Sequence, residues 1–127
     1  MPMYDLKGNL NIVVVRKSAA VTATGNGTGL DLMGYEGKVA IVFNVAAATA
    51  GTNPTYDAKV QDSPDNSTFT DIAGATITQV TTTDSIQVLS VDVRAQARYI
   101  RIVETIGGTS SPSFPAGAVL VSEKQYK

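Results

Sequence analysis

The chain has 127 residues, 43% of them hydrophobic and only 17% charged, with a formal net charge of −1 and neither His nor Cys. That length suits one domain, which buries roughly two thirds of the surface its unfolded chain exposes. The missing His and Cys exclude Ser–His and Cys–His nucleophiles, disulfides and thiolate metal sites, and the near-neutral charge with thinly spread Lys and Arg argues against nucleic acid as a partner.

Residues 1–10 combine Pro2, Gly8 and Asn9 with Met1, Met3, Tyr4, Leu6 and Leu10, which predicts an extended N-terminal arm ahead of one domain spanning 11–127. The start lacks a basic region followed by an apolar one, and no apolar run in the chain approaches the roughly 18 to 20 residues that cross a bilayer. A soluble chain with no membrane partner is expected. Asn11–Arg16 and Ala19–Thr24 read as strands, followed by the loop Gly25-Asn-Gly-Thr-Gly29 and a turn-rich link over 30–37.

Lys38–Ala46 carries the clearest strand pattern. Val39, Ile41, Phe43 and Val45 share one face, and Ala40, Val42, Asn44 and Ala46 share the other, so neither face is polar. An antiparallel sandwich normally turns a polar face outward, so a partner or a neighbouring subunit is expected to cover the second face. Ile12–Val15 repeat the two-sided pattern.

Ala47–Thr55 reads as a small-residue loop, after which Tyr56, Ala58 and Val60 alternate with Asp57, Lys59 and Gln61 in a half-exposed strand. Ser63-Pro-Asp-Asn66 suits a type I turn, and Thr68–Ile72 is the return strand of a hairpin. Gly74 marks a turn before the Thr-rich stretch 76–83. Leu89, Val91 and Val93 alternate with polar residues; Arg98–Ile106 forms the next strand, 107–115 a loop, and Gly117–Glu123 the last strand. The sum is eight or nine short strands and no helix: an all-β, antiparallel, jelly-roll-like β-sandwich with an extended arm.

No catalytic, cofactor or metal site is expected. Gly25-x-Gly27-x-Gly29 has Leu30 where a dinucleotide loop needs its third glycine and lacks the following helix, and Glu36-Gly-Lys38-Val39 lacks the Ser or Thr that follows a P-loop lysine. Asp62, Asp65, Asn66 and Asp71 could offer oxygens to calcium, but capping of the turn by Asx bonds is the preferred reading. Arg98 and Arg101 have opposite strand parity and form no common basic face. Tyr99 reads as a core or rim aromatic ahead of a sugar platform.

Two segments carry a family resemblance: Val60-Gln-Asp-Ser-Pro-Asp-Asn-Ser-Thr-Phe-Thr-Asp-Ile72 and Ala97-Arg-Tyr-Ile-Arg-Ile-Val103. They resemble a hairpin and a strand of discoidin-like carbohydrate-binding jelly rolls, although Phe69 stands where Trp is common and the cysteines that join the termini of many animal members are missing. Taken whole, with its Ala/Thr/Gly/Val composition, the chain resembles the small head decoration, or cement, proteins of tailed bacteriophages. That resemblance implies a non-enzymatic protein made in the host cytoplasm that sits on the outer capsid surface, often as a homotrimer, and bridges capsomers. The implied partners are the major capsid protein and copies of itself. Tyr4, Leu6 and Leu10 would pack from the arm, Leu32, Met33, Tyr35 and Phe114 would anchor loops, and Val42 would lie on the doubly apolar strand. Two alternatives stand beside it. One is a carbohydrate-binding module that stacks a glycan on Tyr35, Tyr56 or Tyr99, and the other is a phage tail or baseplate component.

Overall fold

The computed structural model describes residues 10–35, 37–93 and 96–123. These residues form eight strands and no helix: β1 (Leu10–Val21), β2 (Gly25–Asn26), β3 (Leu30–Asp31), β4 (Lys38–Val45), β5 (Ala50–Ser63), β6 (Thr70–Thr76), β7 (Ser85–Asp92) and β8 (Tyr99–Glu123). The expected residues 1–9 of the arm lie outside the described residues; Leu10 is the first residue of β1, opposite Glu123.

All the pairings are antiparallel, and β8 belongs to both layers of the sandwich. Its C-terminal half lies between β1 and β4, and β7 completes this front sheet in the order β1–β8–β4–β7. Its N-terminal half lies between β5 and the short β2 and β3, and β6 completes the back sheet beyond β5. This is the antiparallel, jelly-roll-like sandwich that the alternation predicts.

The period of two decides which side chains meet between the layers. Val39, Ile41, Phe43 and Val45 of β4 face Tyr56, Ala58 and Val60 of β5, and β8 contributes Ile100 and Ile102 from the back sheet and Phe114, Ala116, Ala118 and Leu120 from the front. Ile41, Val60, Phe114 and Leu120 are fully enclosed, and each such aliphatic or aromatic side chain stabilises the fold by roughly 1.5–3 kcal/mol. The Tyr56 and Phe114 rings meet at 5.7 Å between centroids.

Several segments expected to be loops or turns are strand: β2 lies in the expected loop 25–29, β3 in the link 30–37 and Gly74 within β6, and two longer stretches join β8 and β5. Residues 107–115 continue β8 rather than interrupting it, because Gly108, Ser110 and Ser111 take left-handed backbone angles that turn the corner from one sheet to the other. Thr109 and Ser113 stay paired with Thr52 and Ala50 through that corner. Residues 50–55 likewise belong to β5, where Pro54 is accommodated at a register shift between Thr52 and Thr55. Several strands are therefore long: β5 has 14 residues and β8 has 25.

Candidate interaction surface

The two outer faces of the sandwich differ in chemistry. On the back sheet, Asp57, Lys59 and Gln61 of β5 alternate outward and every one is engaged. Gln79 donates to Asp57 at 2.9 Å, Lys59 and Gln61 donate to Asp71 at 3.1 and 2.7 Å, and Arg101 donates to Gln61 at 2.9 Å. That face is an ordinary solvated one.

The front sheet turns β-branched side chains outward. The pairings align Ile12 with Val121 and Ala40, and Val14 with Val119, Val42 and Val88, while Ile86 lies one step along β7 opposite Asn44. Ile12 and Val14 are each 62% exposed, Ile86 70% and Val88 60%. Beside these rows runs a shallow groove of about 440 Å³ floored by Val42, Gly117 and Val119 and bounded by Val14, Lys17 and Ile86. Gly117 lets Ser18 of the bulged β1 approach β8 closely, since a Cβ there would stand 2.5 Å from Ser18 Oγ. A continuous apolar face rimmed by polar residues is the usual form of a protein interface.

A polar cluster lies beneath the other side of the β1 bulge. Glu104 of β8, 7% exposed, accepts from Arg16 Nε at 3.0 and 3.1 Å and from the hydroxyl of Tyr56. Burial, and then the carboxylate beside it, pushes the Tyr56 phenol far above its ordinary value. Each group of this cluster satisfies another, so it ties β1, β5 and β8 together as a structural clasp.

The two sequence motifs prove to be one scaffold. Gln61, Asp62 and Ser63 pair with Arg101, Ile100 and Tyr99, the Ala97 N–H donates to Asp62, and the Arg101 guanidinium sits 4.0 Å from the Phe69 ring centre. Asp65 accepts from Ser67 N–H, Thr68 N–H and the Ser63 hydroxyl, which is the Asx-capped turn. These bonds, that of Thr68 foremost, hold its carboxyl below the usual value. Arg98 grips Asp31 through two nitrogens at 3.0 and 2.8 Å.

The residues expected to meet a partner are scattered. Leu32 and Phe114 are corrected: at 3% and 0% exposure they are core residues, drawn in because β3 and the β8 corner close the sandwich over them. Tyr56, a sugar-stacking candidate in the alternative reading, is buried, and Tyr35 packs half-buried against the core. Tyr99 is half-buried with the Arg98 guanidinium 5.1 Å from its ring centre. Met33 is exposed in a turn, Leu10 is half-buried at the start of β1, and Val42 lies at the centre of the apolar front face. Tyr4 and Leu6 lie outside the described residues. Ile86 and Val88 were missed because the alternation at Leu89–Val93 marked the opposite face of the same strand; Ile86-Gln-Val88 carried that signal.

No family model and no curated protein sequence matches the chain. Solved structures match in fold. The crystal structure of PBSX exported protein XepA superposes with a TM-score of 0.58 at 18% identity, covering 100% of this chain and 40% of XepA. The fold is shared with proteins of phage and viral origin. SPBc2 prophage-derived protein YomS gives 0.52 at 10% identity, covering 90% of this chain and 94% of YomS. The structure of infectious bursal disease virus, Gt strain, gives 0.51 at 11% identity over 91% of this chain and 31% of the viral chain. The chain thus matches YomS over nearly its whole length, but spans only two fifths of XepA.

Proposed function

We propose that this chain is a structural virion protein that docks on the outer surface of a phage capsid through its front sheet and stabilises the shell by bridging capsomers. The observation that carries this reading is the unequal chemistry of the two outer faces: the back face is polar and internally paired, whereas the front face exposes Ile12, Val14, Ile86 and Val88 around Val42 and Val119. The fold shared with YomS, XepA and a viral chain supports the choice of a virion over other assemblies. A protein that binds only the assembled shell lowers the free energy of that shell by mass action, and a specific contact buries on the order of 1,200–2,000 Å².

The test is sedimentation of the purified protein with shells of the phage that encodes it. Val42→Asp places a charge at the centre of the front face, where no core contact is lost, so the variant should fold and fail to sediment with shells. Unchanged sedimentation of that variant would refute the docking face, and binding to isolated tails but not to shells would place the protein on the tail.

A further inference from the structure

We propose that copies of this chain join head to tail, with β7 of one copy hydrogen-bonded antiparallel to the first half of β1 of the next. This self-association requires no shell.

No further strand pairs with either end of the front sheet among the described residues. Among the described residues β7 pairs only with β4, and β1 pairs only with β8, so each presents a row of backbone N–H and C=O groups to whatever lies beside it. Edges are ordinarily blunted by bulges, glycine, proline, charge or shortness. The back sheet follows that rule: β6 has a register shift and a left-handed Gly74, and β2 and β3 have two residues each. By contrast, β7 keeps register with β4 over Ser85–Asp92 without a bulge, and Ser85–Val91 contains no charge, glycine or proline. β1 is regular from Leu10 to Val14 and bulges only beyond.

Direction, parity and charge select the partner. β1 and β4 are both antiparallel to β8, and β7 is antiparallel to β4, so β7 laid against β1 of a neighbour forms an ordinary antiparallel pair. Setting Ile86 opposite Val14 and Val88 opposite Ile12 of the next copy keeps all four on the outer face, so the apolar surface runs unbroken across the joint. The same register brings the exposed Asp84 to the exposed Lys17 of the neighbouring β1, where the Arg16 guanidinium is already bonded to Glu104. Pairing of β7 with itself would leave both β1 edges unpaired. Because the two contacting surfaces differ, the association is heterologous: it closes into a ring where the rotation allows and otherwise continues as a filament.

Light scattering of the full chain, with no shell present, should read a multiple of the 13.2 kDa chain mass. Ile12→Lys should return it to one chain with an unchanged far-ultraviolet spectrum. The protein has no native cysteine, so single cysteines report the register without interference. Mild oxidation of mixed Ile86→Cys and Val14→Cys variants should give the 86–14 disulfide between copies, whereas Ile86→Cys alone should stay uncrosslinked. A single-chain mass at every concentration up to millimolar would overturn the proposal, as would an 86–86 dimer in better yield than the mixed product. Neither result bears on whether the front face binds a shell.

Discussion

Replacing Arg16 by Met tests whether the clasp beneath the β1 bulge holds the sandwich together. The substitution removes the guanidinium but keeps most of the aliphatic stem, leaving Glu104 enclosed and bonded only to Tyr56. Removing one partner of a buried ion pair costs about 3–5 kcal/mol, because the remaining charge is uncompensated. The side chains of Arg16 and Glu104 are 25% and 10% exposed, so solvent screens part of that penalty and the lower end, about 3 kcal/mol, applies. With a urea slope of about 1.5 kcal/mol/M, the unfolding midpoint should fall by about 2 M at one fixed protein concentration. Adding Glu104→Gln to Arg16→Met removes the orphaned charge and should recover about 2 kcal/mol. A cost below about 1 kcal/mol for Arg16→Met, or a double variant no more stable than the single one, would refute the clasp.

Gly27 should tolerate no side chain, since a Cβ there would stand 2.8 Å from the Ile102 carbonyl oxygen that its own N–H bonds at 2.6 Å. Gly27→Ala should cost about 1–3 kcal/mol, seen as a melting point lowered by roughly 4 °C or more, while Gly25→Ala, with nothing within 4 Å of its Cβ, should melt with the wild type. Stability should fall away at both ends of the pH range. Asp31, Asp65 and Asp71 have carboxyls held below their ordinary value of 3.8 by Arg98, by the Thr68 amide and by Gln61 respectively, so their contribution is present above that value and is lost as pH drops through the depressed ones. Asp65→Asn should flatten the acid limb of a denaturation series. The Tyr56 phenol is raised, so its contribution is present below the ordinary tyrosine value of 10.0 and disappears as pH climbs above it. Ultraviolet titration should show one tyrosine that ionises only with unfolding and is missing in Tyr56→Phe; complete ionisation of a folded protein near pH 10 would count against the buried hydroxyl.

Local rules account for what was legible in the sequence. Alternation along Val39–Val45 and Tyr56–Val60 marked the side chains that became core, because successive residues of a strand must point to opposite faces. Ser63-Pro-Asp-Asn66 announced its own turn, because an Asx side chain caps the amides two and three residues on. The second apolar face of β4 was visible as well, since Val42 and Ala40 occupy positions that an exposed sheet would fill with polar groups.

Position in space was decided by the tertiary structure. Leu32 and Phe114 sit among glycines, serines and prolines that resemble loop sequence, and only the closing of β3 and the β8 corner over the core turned them inward. Residues 107–115 remained strand because β5 and β1 supplied partners on either side and Gly108, Ser110 and Ser111 could adopt the left-handed angles of a corner. The pairing of β1 and β7 with the central strands gathered Ile12, Val14, Ile86 and Val88, more than seventy residues apart in the chain, into one exposed surface. A period of two assigns residues to faces, but which face is covered depends on strand order and on β8 passing through both layers, and those are long-range pairings that no local pattern encodes.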